Sequence, residues 1–429
     1  MMRQIIILIM VLAAATCAQA APRHGLDRGG QEPLPPALDG SMSLYDFSDT
    51  ESSALPDSLT PLHICYAARH GARFLTSESK IRSCEKLIQM ARERGSLTEE
   101  GKLFAALLDS VREHTAGRWG MLSPVGIDEE RRLGRGMAEM FPEVFGAEGA
   151  RVTSVASYVP RVVESMDQFT VAIAEVCEGI YTSSESGKRF DRLTRFFVSD
   201  PGYDEWRNSG SWKRIYDDFV ARNIPIAPAI RLLGGDNGLT DRELRKFVYD
   251  MYKVLQGMRA ASLPAPDTRW MTEPEYRACW EATNLEKYFQ YSVSPLSDIP
   301  ARGAVFILYD WLNAAVRLEA GELAPGLSGI FGHAETLLPL FALLGIDEAI
   351  AMPDSYDNLS DLWNDSRLTP LGANIAVIFA RGPSGKLYAS MRLNGRNISP
   401  VGQNGRPVVP LAELKSVWLS RLASLDGRQ

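Results

Sequence analysis

Hydrophobic and polar positions change period several times along this chain, and each change marks an element. Residues 62–68 form a mostly apolar run that ends at Arg69, His70 and Gly71. A short continuous apolar stretch closed by a turn signal predicts a buried strand, and Gly71 gives the backbone freedom to turn sharply at its end. Ser123 followed by Pro124 is a helix start, with a hydroxyl at the cap and proline in the first turn. The pattern then predicts an amphipathic helix over 124–140. Residues 152–156 read as a second short strand, and 162–176 as the helix that follows it. From about 183 to 300 strand signals are scarce while aromatic, Arg and Lys residues interleave. Within that stretch Thr240-Asp241-Arg242-Glu243 is a capping box opening a helix through residue 255. Alternation returns with a helix over 304–318, a strand end and an apolar helix from about 330 to 344, and strands at 373–380 and 387–393. This order predicts an α/β fold: a doubly wound mixed sheet flanked by helices, in two parts at 61–185 and 301–429. A mainly helical cap domain at 186–300 interrupts them. Residues 21–60, rich in Pro, Gly, Ser and Asp, predict a surface arm.

Length and charge narrow the partners. At 429 residues the chain can bury a large core, and its net charge of −7 argues against nucleic acid. An anionic ligand would need a local basic cleft in an acidic protein. Arg3, the apolar run 5–15 and Ala18-Gln19-Ala20 have the three-part order of a secretory leader over 1–20, cleaved near Ala20. The expected product is periplasmic or extracellular. No apolar run is long enough for a membrane span. Lipid anchoring through Cys17 is disfavoured by the preceding Thr16. The remaining thiols, Cys65, Cys84, Cys177 and Cys279, form no close zinc or redox pair, and their spacing leaves disulfide pairing open. Cys65 inside the first strand reads as a core thiol.

The chemistry concentrates at strand ends. Arg69-His70-Gly71-Ala72-Arg73 sets one imidazole between two guanidiniums, at the end of a strand where open α/β sheets bind their ligands. Two planar, permanently charged forks suit a tetrahedral oxyanion. An imidazole held against bound phosphate can attack phosphorus and become a phosphohistidine. Arg161 follows the second strand and opens a helix, where the dipole disfavours a cation; a bound anion would offset that penalty. Gly332-His333-Ala334-Glu335 also follows an apolar run and opens a helix. There His333 and helix N–H groups can donate to phosphate oxygens, and Glu335 can protonate a leaving alkoxide.

These segments resemble the histidine acid phosphatases, the second clade of the histidine phosphatase superfamily, over almost the whole chain after the leader. The resemblance implies His70 as nucleophile. Arg69, Arg73, Arg161 and His333 would clamp the transferring phosphate, and Glu335 would be the proton donor. The commoner branch places an aspartate directly after the late histidine; here Ala334 stands there and the acid comes one position later. That His-Ala-Glu order is similar to the multiple inositol polyphosphate phosphatase branch, which implies phytate as substrate and no metal or other cofactor. The family usually continues its first motif as arginine, aromatic, proline, threonine. This chain has Arg73-Phe74-Leu75-Thr76 and departs at Leu75.

A substrate with several phosphates needs further cations. Thr76, Lys80 and Arg82 after the nucleophile are candidates, as are Lys188, Arg189, Arg192 and Arg195 at the start of the helical stretch. The expected partner is a small polyanion, the inositol phosphates, acted on by a monomer. A broader acid or sugar-phosphate phosphatase, or a degenerate binding protein without turnover, would use the same residues.

Overall fold

The computed structural model of the chain describes residues 31–402 and 405–426. The expected leader and Cys17 lie outside the described residues. Eight strands form one sheet: β1 (Thr60–Arg69), β2 (Arg151–Ala156), β3 (Tyr181–Ser186), β4 (Gly326–Gly332), β5 (Asn374–Arg381), β6 (Leu387–Leu393), β7 (Arg396–Ile398) and β8 (Val408–Pro410). Their order is β3-β2-β4-β1-β5-β6-β7, with β8 on β6. The first four run parallel, and β5 onward pair antiparallel. The sheet is therefore mixed, as the alternation predicts.

The principal helices are α1 (Ser79–Glu93), α2 (Glu99–Thr115), α3 (Pro124–Met140), α4 (Pro160–Val176), α5 (Asp241–Leu255), α6 (Glu273–Tyr291), α7 (Val305–Glu319), α8 (Ala334–Leu343) and α9 (Leu411–Asp426). Ser123 caps α3 by accepting from Gly126 N, and Thr240 and Glu243 complete the capping box of α5. Period 2 along β1 feeds two cores. Ile64, Tyr66 and Ala68 pack with Val162, Met166 and Phe169 of α4 on one face. Cys65 and Ala67 join a larger cluster on the other, with Leu308 and Trp311 of α7, Leu337 and Phe341 of α8 and Trp418 of α9. Residues of the helical stretch, including Trp212, Phe247 and Tyr276, belong to that same cluster. Among the described residues no helix is long and apolar enough to cross a membrane. Cys65, Cys84, Cys177 and Cys279 are free thiols.

Three observations differ from the sequence pattern. β3 lies where strand signals fade, because Tyr-Thr-Ser-Ser-Glu-Ser is a polar edge strand with no buried face to impose alternation. The expected surface arm does not describe residues 34–42: Leu34, Leu38, Asp39, Ser41 and Met42 are buried, and the described residues from Pro33 onward gather in one compact unit. Gly71 has no positive φ. It is small because α3 crosses it: a Cβ there would lie 2.7 Å from Gly126 O, and a Cβ on Gly126 only 2.1 Å from Ala72 O.

Backbone meets backbone at that crossing, so neither side can yield by changing a rotamer. Gly126→Ala should lower unfolding free energy by ~1–3 kcal/mol, the usual cost of overpacking, in urea titration. An unchanged midpoint would contradict the tight crossing.

Candidate active site

The sheet register assembles the site. Arg69 of β1 pairs with Gly332 of β4 in a parallel ladder, so the next residues, His70 and His333, emerge side by side. Their ring centroids lie 5.6 Å apart with planes at 77°. On the other side of β4, Ala156 of β2 pairs with Phe331, and Ser157 N donates to Phe331 O at 3.1 Å. The chain then enters α4 through Pro160 and Arg161. Three adjacent strand ends thus deliver His70, His333 and Arg161 to one place, the ligand end of a parallel sheet.

A neighbouring carbonyl fixes the tautomer of His70. Nδ1 lies 2.9 Å from Gly71 O; a carbonyl only accepts, so Nδ1 carries the hydrogen and Nε2 keeps its lone pair. Burial, with Arg161, Arg69, His333 and Arg73 around the ring, holds its pKa well below 6.5. The imidazole is therefore neutral in mildly acidic water. Burial also pulls His333 down to about 3, reinforced by Arg161, Arg195 and Arg69 and opposed by Glu335. Its Nε2 sits 3.1 Å from Ser157 Oγ, and its backbone N donates to Thr336 Oγ1 at 3.0 Å, capping α8.

The guanidiniums use few donors inside the protein. Arg69 Nη1 donates to Ser41 O at 2.5 Å and to Thr369 O at 2.6 Å. Arg73 Nη1 donates to Phe74 O at 3.0 Å, and Arg161 Nη1 reaches Gly120 O at 3.5 Å. The Nε atoms of all three are buried without a partner among the described residues. Burial lowers Arg69 to about 10 and Arg73 to about 9, with Arg161 adding repulsion to both. Unpaired buried donors on crowded cations call for an oxyanion. Glu335, in the first turn of α8, feels that field. Burial raises its carboxyl, but His333, its own backbone N–H, Arg69 and Lys287 bring it below 4.5. An arriving dianion offsets the cations and returns affinity for a proton to Glu335.

Arg69, His70, Arg73, Thr76, Lys80, Arg161, His333, Ala334 and Glu335 all line one cavity of about 340 Å³. Leu75, where the chain departs from the family pattern, also lines it, and its carbonyl accepts from Gly120 N at 2.7 Å. The basic run further on does not reach the cavity. Arg189 pairs with Glu185, Arg192 lies over Phe306, and Lys188 and Arg195 lie over Tyr158. Arg82 pairs with Glu78. A charge run reports polarity but not direction: Arg82, Lys188, Arg189 and Arg192 lie outside the cavity lining, whereas Arg195, also outside the lining, still adds repulsion at His333 and Arg161. The sequence pattern also passes over Ser41, Met42, Lys253 and Lys287, which line the cavity. Lys80 and Lys287 are bound to buried carboxylates, Asp250 at 2.7 Å and Asp365 at 2.6 Å. Lys253 of α5 has no ion pair among the described residues, and burial together with Lys287 lowers it to about 8.

Residues 66–381 match the model of the histidine phosphatase superfamily, branch 2. The chain belongs to this family. The multiple inositol polyphosphate phosphatase of Bifidobacterium longum, in complex with inositol hexasulfate, superposes with TM-score 0.72 at 16% identity. The match covers 89% of this chain and 97% of that one. The same enzyme in complex with phosphate gives TM-score 0.67 at 17% identity, again over 89% and 97%. The phytase from D. castellii gives 0.69 at 16% identity, over 90% of this chain and 85% of that one. At such identities the likeness concerns the fold, and the histidine phosphatase site here rests on its own geometry.

The His70 tautomer is directly observable. With ¹⁵N-histidine labelling, His70 should show an Nδ1–H ring that takes up no proton as pH falls through 6.5. A midpoint near 6.5 would contradict its burial among cations.

Proposed function

We propose that this histidine phosphatase hydrolyses phosphomonoesters of inositol polyphosphates, phytate included, through a phosphohistidine at His70. One observation carries the reading: an imidazole with a free Nε2 lone pair stands among three guanidiniums whose buried Nε donors have no partner among the described residues. In the first step Nε2 attacks phosphorus as the ester P–O bond breaks, and the protonated carboxyl of Glu335 gives its proton to the leaving alkoxide. In the second, water attacks the phosphohistidine, Glu335 takes the water's proton, the P–N bond breaks and phosphate departs. Arg69, Arg73, Arg161 and His333 stabilise charge on the equatorial oxygens throughout. Among the described residues no group of three or more His, Cys, Asp and Glu is arranged to hold a metal ion.

Support for a polyanion comes from the far wall. Lys253 lines the cavity without an ion pair among the described residues, available to a second phosphate, and a related structure holds inositol hexasulfate. A broader monoesterase is favoured by a different fact: Lys80 and Lys287 are already neutralised by Asp250 and Asp365. Relative kcat/KM for phytate and for a small monoester separates the two.

Purified protein should release phosphate from phytate, and His70→Ala should abolish release while staying folded; no release from phytate at any pH would defeat the substrate assignment. Glu335→Gln should slow phytate turnover by ~10²–10⁴-fold, the range for a lost general acid, yet lose far less on p-nitrophenyl phosphate, whose leaving group needs no proton. Equal losses would give Glu335 another role. Lys253→Met should cut kcat/KM for phytate by roughly 10- to 100-fold, the worth of one charged hydrogen bond at ~1.5–3 kcal/mol, and spare p-nitrophenyl phosphate. A parallel loss on both would remove Lys253 from substrate recognition.

A further inference from the structure

Asp365 is fully buried and does not line the cavity, yet it accepts from the backbone N–H of both residues whose carbonyls hold Arg69. Its Oδ2 accepts from Ser41 N at 2.9 Å and from Lys287 Nζ at 2.6 Å, and its Oδ1 accepts from Trp280 Nε1 at 3.0 Å. Lys287 Nζ also donates to Ser41 Oγ. The backbone carbonyl of Asp365 accepts from Thr369 N at 2.9 Å. Ser41 O and Thr369 O are the two acceptors of Arg69 Nη1. One residue therefore anchors Ser41 at its N–H through its side chain and Thr369 at its N–H through its main chain, on the residues whose carbonyls meet Arg69.

The consequence for Arg69 is geometric. Nη1 has two hydrogens and both go to these carbonyls, so the guanidinium plane is set by them. The fork left over, Nε with Nη2, is the edge that suits bidentate capture of an oxyanion. The chain takes on a strained conformation to reach this arrangement. Gly40 has φ +60 and ψ −138, and a Cβ there would stand 3.0 Å from Asp365 Oδ2 and 3.1 Å from Trp280 Cδ1. Only glycine both adopts that backbone and lets the segment close on the carboxylate.

We propose that Asp365 is a positioning residue for the phosphate clamp: through the Ser41 and Thr369 carbonyls it aims the Nε–Nη2 edge of Arg69 at the transferring phosphate. Lys287 then serves as the counterion of Asp365 and not as a free substrate ligand. The buried arm segment becomes part of the active site by contributing a carbonyl rather than a side chain. This inference rests on Arg69 acting as a phosphate clamp in the proposed reaction. It does not depend on which phosphomonoester is used.

The test is a double-mutant cycle on p-nitrophenyl phosphate with the full chain, comparing wild type, Asp365→Asn, Arg69→Lys and the double variant. Asparagine keeps the shape and can still accept a hydrogen bond, but it loses the charge facing Lys287. Asp365→Asn should lower kcat/KM by up to about 10²-fold, the scale of a misplaced clamp. In the Arg69→Lys background it should cost less than about twofold more, because the fork it aims is gone and coupled residues are not additive. Multiplying losses, or full activity in folded Asp365→Asn, would overturn the proposal. Trp280→Phe, which removes one donor to Oδ1, gives a milder variant should Asp365→Asn not fold. It should show a smaller loss that also vanishes in the Arg69→Lys background; persistence there would overturn the proposal equally. Absence of His70-dependent hydrolysis in the wild type would instead sink the reaction itself.

Discussion

The governing constraint is positive charge packed where water cannot screen it. Arg69 and Arg73 are pushed below their ordinary pKa by burial, and Arg161 adds to the crowding. Cations in a low-dielectric pocket repel one another more strongly than they would in water. The protein answers with carbonyls on some Nη atoms and, among the described residues, leaves the Nε of each without a partner. Such a site is incomplete until an oxyanion arrives. Burial, reinforced by the same cations, holds the His70 pKa well below 6.5, and against burial His333 and the cations bring Glu335 below 4.5. In the proposed reaction, the nucleophile, clamp and acid are thus all set by burial and crowded cations.

The sheet supplies the precision this charge needs. Parallel pairing sets His70 beside His333, and the neighbouring strand brings Arg161 through the first turn of α4. The approach of α3 to within backbone contact of Gly71 and Ala72 then fixes the loop that carries Arg73. Behind it Glu129 accepts from Ala72 N at 2.7 Å and from Tyr45 N at 3.1 Å, tying the nucleophile loop to the N-terminal segment. A rigid first layer on a rigid sheet suits chemistry that relies on positioning and electrostatics.

Much of this architecture is legible in the amino-acid sequence. Buried strands read as apolar runs, as in β1 and β5, and a half-buried strand as alternation, as in β2, so all three announce themselves, and chemistry-bearing residues at the ends of β1 and β2 stand out against the pattern. The features that escape the pattern share a physical reason: they leave no apolar periodicity or work through the main chain. β3 is a polar edge. Ser41 acts by its carbonyl, which every residue possesses. Lys253 sits on an amphipathic helix, where a lysine looks like an ordinary solvated face. Lys188, Arg189 and Arg192 mislead in the opposite sense, because they find Tyr158, Glu185 and Phe306 outside the cavity. At Gly71 the pattern suggests a sharp turn, whereas the residue's smallness serves helix contact instead.

The account stands on His70 Nε2 forming a bond to phosphorus. Rapid mixing with a ³²P-labelled phosphomonoester, an alkaline quench and peptide mapping would test that bond directly. The account predicts an acid-labile, alkali-stable phosphate on the peptide containing His70, formed within one turnover. Turnover with no label on that imidazole, or with label on another residue, would contradict it.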